Sequence, residues 1–211
     1  IKVQGVMSHL AASGMVSEDE FTLKQATIFG EAAGKMEAAL SYRFIRHINN
    51  SYAIHRHPSL QMDMVRLGIG MYGADSDIQH RLKNVSTLKT TIAQIRHIQK
   101  GETVGYSRSH VASQETTMAV VRIGYADGYP RLLSNGKGYM LVNGKKAPVL
   151  GRVCMDMTML DITGIPAKED DEVIVFGEDL PASLLAGWAQ TIEYEIFTNI
   201  SQRVKREYVN L

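Results

Sequence analysis

Cysteine is nearly missing from this chain: Cys154 stands alone, so no internal disulfide can form, and a single thiol suits a reducing cytoplasm. Neither sign of charge dominates. Lys and Arg total 23 against 22 Asp and Glu, for a net charge of +1, which removes any electrostatic case for nucleic acid or an anionic membrane as partner. No apolar run approaches the roughly 20 residues needed to span a bilayer. Internal repeats and low-complexity linkers are absent, as are an initiator methionine and a signal-peptide pattern. The opening Ile1-Lys2-Val3-Gln4 reads as a strand entered without a lead-in, so the expectation is a fragment or processed piece. What is left is ordinary globular material: 45% apolar and 21% charged residues over 211 positions, enough for one large domain or two small ones.

Residues 1–10 run apolar into Ser8-His9-Leu10, as a buried strand ending in a histidine would. Ser17 and Glu20 have the spacing of a capping box, and Phe21, Ile28, Phe29, Ala32, Ala33, Met36 and Leu40 then recur at helical spacing. Tyr42–Ile48 reads as a strand, a short helix is placed near Pro58, and Met64–Tyr72 reads as another strand. Strand and helix alternating at this spacing predict a parallel α/β layer. The character changes near residue 83. Thr87–Ile98, Met118–Ile123, Gly138–Val142, Ala147–Val153 and Glu172–Phe176 are strand candidates rich in β-branched residues and Met. Asn143-Gly144 is a hairpin signal, because a type I′ turn needs positive φ at both central residues. Ser183–Gln190 and Glu193–Asn199 read as helices and Arg203–Val209 as a last strand. An α/β part at 1–82 followed by a mostly β domain at 83–211 is the resulting division.

Three stretches could carry chemistry. In Val65-Arg66-Leu67-Gly68-Ile69, an arginine inside an apolar run is costly unless paired. The glycines beyond it leave backbone N–H groups open to an anion, although a structural arginine at a strand end explains the same residues. In Gly124-Tyr125-Ala126-Asp127-Gly128 a tyrosine is held between glycines, either presenting its hydroxyl to a cleft or plugging a turn. In Gly151-Arg152-Val153-Cys154-Met155-Asp156 a lone cysteine lacks a second thiolate, so a metal site is not expected and a strand entering a Met-rich core competes.

Taken together and in order, these motifs resemble the alanine racemase family of fold-type III pyridoxal-phosphate enzymes. The matching pieces are Ser8-His9-Leu10-Ala11, Asn50-Ser51, Val65–Ile69 with Tyr72-Gly73, Ile123–Gly128, Gly151–Asp156, and Arg203-Val204 with Arg206. The resemblance implies a (β/α)8 barrel, of which only the last half is present here, followed by a small mostly β domain. It also implies a head-to-tail homodimer with shared active sites and a cytoplasmic role in supplying D-alanine for peptidoglycan. By similarity, Ser51, Gly68 and Ile69 bind the phosphate of pyridoxal 5′-phosphate and Arg66 faces its pyridine nitrogen. A permanently charged arginine there cannot accept a proton, which leaves the ring a weaker electron sink. Tyr125, reaching the partner's site, is one of two acid/bases on opposite faces of alanine, and Met155 offers its backbone N–H to the substrate carboxylate. An ordinary tyrosine has a pKa of about 10, so the role asks for a shift toward neutrality, for which the resemblance implies a hydrogen-bonded chain from Tyr125 through His9 to Arg66.

Three departures from the family pattern stand out. The lysine that forms the family's Schiff base is implied to lie upstream of Ile1. Gln202 stands where a tyrosine is common and Lys205 where a proline is, which resembles the variant fused behind a peptidoglycan-precursor ligase. Two other readings stay open at this point: a racemase of broader amino-acid specificity, and a truncated, non-catalytic remnant.

Overall fold

The computed structural model describes residues 1–75 and 77–209, which fall into two compact units, Ile1–Ile78 and Gln79–Leu211. In the first, strands β1 (Gly5–Met7) and β2 (Ile45–His47) pair in parallel, Gly5 opposite Ile45 and Met7 opposite His47. A parallel pair needs a long crossover, and the 22-residue helix α1 (Asp19–Leu40) supplies it. Leu10, Ala26, Ile48 and Ala53 form the small buried cluster beneath. The expected capping box does not form: Val16–Glu18 make a 3-10 turn and no side chain caps α1. Of the residues predicted to share its apolar face, Ala33 is buried while Phe21, Ile28, Met36 and Leu40 are exposed.

Helix α2 (Ser51–Arg56) occupies what reads in the sequence as a strand end. Its cap was the missed signal: the Asn50 side chain accepts from the Ala53 N–H at 3.1 Å. Met64–Tyr72 is not a strand. Arg66 N–H makes a single bond to Asn49 O at 2.9 Å rather than a ladder, and Ile69–Tyr72 tighten into a 3-10 turn that Gly73 ends at φ 71°.

The second unit is a closed antiparallel barrel. Its strands are β3 (Leu88–Ile98), β6 (Thr116–Val121), β7 (Tyr139–Val142), β8 (Lys145–Leu150), β9 (Thr158–Asp161) and β10 (Glu172–Phe176). A separate two-stranded ribbon pairs β4 (Thr103–Val104) with β5 (His110–Val111). Around the ring the order is β10-β3-β6-β9-β8-β7, and β10 also pairs with β7 to close it. Full closure leaves no free edge among these six strands. The β7–β8 turn is the predicted hairpin, with Asn143 at φ 49° and Gly144 at φ 72°. Ile92, Ala119, Val142, Val149, Leu160 and Val173 fill the interior, each no more than 1% exposed. Helices α3 (Ala182–Ala189) and α4 (Glu193–Thr198) add Leu185, Ala186 and Ile196 to the same core. Arg203–Val209 is not a strand: the segment runs as turns and irregular chain, because its arginines are engaged in ion pairs and carbonyl contacts. No described helix is long and apolar enough to cross a membrane.

Candidate functional site

In the first unit the chemistry gathers where the parallel strands end, the usual seat of sites in such layers. The Arg66 guanidinium is the organiser. Its Nη2 donates to Ser8 O at 2.6 Å and to Ile48 O at 2.9 Å, tying together the residues just past β1 and β2. Nη1 lies 3.4 Å from His9 Nδ1. Because a guanidinium can only donate, Nδ1 is the acceptor and the imidazole carries its proton on Nε2. Arg66 Nε is buried and has no hydrogen-bond partner among the described residues. A buried charged donor left this way is unfavourable unless a ligand meets it.

Ser51, 7% exposed at the start of α2, completes this part. Its Oγ accepts from Gly68 N–H at 2.8 Å and from Gly70 N–H at 3.4 Å, which leaves the hydroxyl proton available as a donor. The structure therefore brings Ser51 and Gly68 into direct contact, with Ile69 buried beside them at 1% exposure. His55, Asp75 and Asp77 also converge, with potential ligand atoms within 4.8 Å of one another, a grouping the sequence spacing does not reveal. His55 Nε2 and Asp75 Oδ2 stand 3.3 Å apart.

In the second unit, Tyr125 and Met155 are neighbours. Tyr125 leads a tight turn in which the N–H groups of Asp127 and Tyr129 both bond Gly124 O, at 3.0 and 3.1 Å. Tyr125 N–H bonds Cys154 O and Ala126 N–H bonds Met155 O, each at 3.0 Å. The Tyr125 side chain is 43% exposed and Met155 53%. Met155 N–H has no hydrogen bond among the described residues, so it is open to an anionic ligand. Beside the turn lies a cleft of about 250 Å³ walled by Tyr125, Pro130, Leu132, Thr191 and Glu195.

The predicted strand at Ala147–Val153 stops at Leu150, so Cys154 and Met155 lie on a loop that precedes β9, an element the sequence did not announce. Partial burial pushes the Cys154 thiol up, and the charge of Arg131 works against the rise. Alkylation by iodoacetamide is expected to reach half its limiting rate at a higher pH than for a free cysteine. Arg131→Ala should move that midpoint higher still; a shift downward would contradict the assignment.

Three comparisons bear on this arrangement. The family model described as "Alanine racemase, N-terminal domain" matches residues 1–76, and "Alanine racemase, C-terminal domain" matches residues 85–208. The alanine racemase of Halothermothrix orenii is 39% identical over 219 residues, covering 100% of this chain and 57% of that protein. That of Desulfosudis oleivorans is 38% identical, covering 100% and 56%. Among solved structures, alanine racemase from Streptomyces coelicolor A3(2) superposes with a TM-score of 0.92 at 35% identity, covering 100% of this chain and 57% of that one. Alanine racemase from Bartonella henselae with covalently bound pyridoxal phosphate gives 0.85 at 33% identity, covering 99% and 57%. The chain thus spans a little over half the length of the relatives it matches.

Proposed function

Since this chain belongs to the alanine racemase family, we propose that it carries cofactor-binding and proton-transferring residues of an enzyme that interconverts L- and D-alanine with pyridoxal 5′-phosphate. The observation that carries this reading is Arg66: its guanidinium is fixed by two strand-end carbonyls and by His9, yet its Nε is buried without a partner. A pyridine nitrogen is the acceptor that such a donor suits. The Ser51 hydroxyl proton and the N–H groups around Gly68 and Ile69 are of the right chemistry for a phosphate. These residues therefore fit the cofactor. When bound, it supplies an electron-withdrawing ring that acidifies the α-proton of alanine.

The remaining work belongs to the protein. Arg66, which can only donate, would meet the cofactor's ring nitrogen without giving it a proton, a setting that would favour moving one α-proton over deeper chemistry. The Tyr125 hydroxyl takes or returns that proton on one face of the substrate, and the family's lysine serves the other. His9, accepting from Arg66 at Nδ1 and carrying a proton on Nε2, has the chemistry to serve as the link from Arg66 to that tyrosine. Met155 N–H holds the substrate carboxylate. Residues 1–82 are read as the last half of a (β/α)8 barrel and 83–211 as the mostly β domain. Two copies in a head-to-tail dimer exchange their Tyr125 turns, and the product serves peptidoglycan synthesis in the cytoplasm.

The test is direct. The full-length protein, given pyridoxal phosphate and L-alanine in ²H₂O, is expected to produce D-alanine with deuterium at Cα, and the converse from D-alanine. Enantiomerically unchanged, unlabelled alanine after prolonged incubation would overturn the reading.

A further inference from the structure

Resting on the reading above, we propose that Arg203 is a positioning residue that fixes the Tyr125 hydroxyl and the Met155 N–H relative to one another. Its Nε donates to Asp127 Oδ1 at 2.8 Å and its Nη2 to Asp156 Oδ1 at 2.5 Å. Asp127 lies two residues beyond Tyr125, and Asp156 directly follows Met155. One planar fork thus grips both segments.

The grip is transmitted to the turn itself. Asp127, whose side chain is 14% exposed, uses its other oxygen, Oδ2, to accept from Gly124 N–H at 2.9 Å. The same carboxylate therefore closes the Tyr125 turn and receives Arg203. Arg203 is in turn held from behind. Ser201 N–H bonds Asp127 O at 3.1 Å, and Gly128 approaches Asn199 so closely that a Cβ there would sit 2.5 Å from its carbonyl oxygen. Arg206 donates to the carbonyls of Ile200, Ser201 and Val204 at 2.9, 3.2 and 3.1 Å, ordering the segment that presents Arg203.

A lysine is a point charge on a flexible stem and cannot reproduce a rigid two-pronged grip. With no cation at all, Asp127 and Asp156 lose the charge they share, and only backbone hydrogen bonds hold the two segments in register. The Arg203–Asp156 pair is half exposed, at 48% and 55%, whereas the Arg203–Asp127 pair is largely covered on its acidic side. An exposed pair such as Arg203–Asp156 contributes little to global stability, so geometry is what its loss should chiefly change.

The experiment compares Arg203→Met and Arg203→Lys with wild type in the full-length holoenzyme. Arg203→Met should slow α-proton exchange from L-alanine about 100-fold, as expected for misplacing a reacting group, with a much smaller effect from D-alanine and a raised KM for both. Its Tm should fall by no more than about 4 °C. Peptides spanning 123–130 and 152–158 should exchange their amide hydrogens faster in the variant. Added to Tyr125→Phe it should cost nothing further in exchange from saturating L-alanine, and Arg203→Lys should recover part of the loss.

Equal losses from both enantiomers, additivity with Tyr125→Phe, or unchanged amide exchange in those peptides would overturn the assignment. Wild type without racemisation would instead remove the proposed function. The amide-exchange comparison would still decide whether Arg203 holds the two segments.

Discussion

Tyr125→Phe in the full-length holoenzyme is expected to slow α-proton removal from L-alanine by about 10²–10⁴-fold, the range over which a positioned acid/base contributes. Exchange starting from D-alanine should be far less affected. The substitution deletes one oxygen and leaves the ring. The turn is held by its backbone, with Tyr125 N–H on Cys154 O and Ala126 N–H on Met155 O, and the half-exposed side chain supports no core contact whose loss would unfold the domain. A two-base reaction with one base removed is therefore asymmetric, whereas a single mobile base would show the same loss in both directions. The measurement is deuterium incorporation at Cα in ²H₂O, followed separately from each enantiomer. Equal suppression from both would count decisively against Tyr125 as the base for one face.

Gly124→Ala should damage both fold and site. A Cβ at Gly124 would lie 2.3 Å from Cys154 O, 2.3 Å from Met155 O and 2.5 Å from Met155 C. All three are backbone atoms, so no rotamer change relieves the clash, and either the Tyr125 turn or the Met155 segment must move. Overpacking of this kind costs about 1–3 kcal/mol, and the two backbone hydrogen bonds it displaces add about 1 kcal/mol each. For a chain of this size the sum corresponds to a fall in Tm of roughly 10 °C, readable by calorimetry, with loss of most racemase activity. Gly34→Ala is the natural control: it sits exposed within α1 with nothing within 4 Å of its would-be Cβ. There alanine should be neutral or stabilising by up to about 1 kcal/mol. A Gly124→Ala protein as stable and active as wild type would mean the close approach of the two segments is not required.

Both features were partly legible in the sequence. Gly124 and Tyr125 stand out because a tyrosine between glycines can present its hydroxyl to a cleft, but the reason for the first glycine, the loop backbone of Cys154 and Met155 at contact distance, is a tertiary fact. The hairpin at Asn143-Gly144 and the strand Glu172–Phe176 were readable because turn chemistry and β-branched runs act locally. Strand β9 was hidden, since Thr158–Asp161 is only four residues long and continues directly from a Met-rich loop. Arg203–Val209 looked like a strand by residue type. Arg203 and Arg206 instead direct their guanidinia to Asp127, Asp156 and three backbone carbonyls, and the chain follows them. In the first unit, Arg66 was suspicious as a charge within an apolar run. Its orphaned Nε, which decides what it faces, depends on which of its donors Ser8, Ile48 and His9 engage.

The ring order also governs when the barrel can exist at all. β10 pairs with both β3 and β7, so the strand made last among the six bridges the one made first and one from the middle. While a ribosome is still extending the chain short of Phe176, five strands can only form an open, curved ribbon with two bare margins. α3 and α4, which seal the interior, emerge later still. Closure over so long a stretch of sequence is slow to find by diffusion, and the unclosed intermediate is the species most exposed to intermolecular pairing. Yield of the soluble protein should therefore respond to synthesis rate and temperature more sharply than the equilibrium stability of the finished barrel suggests.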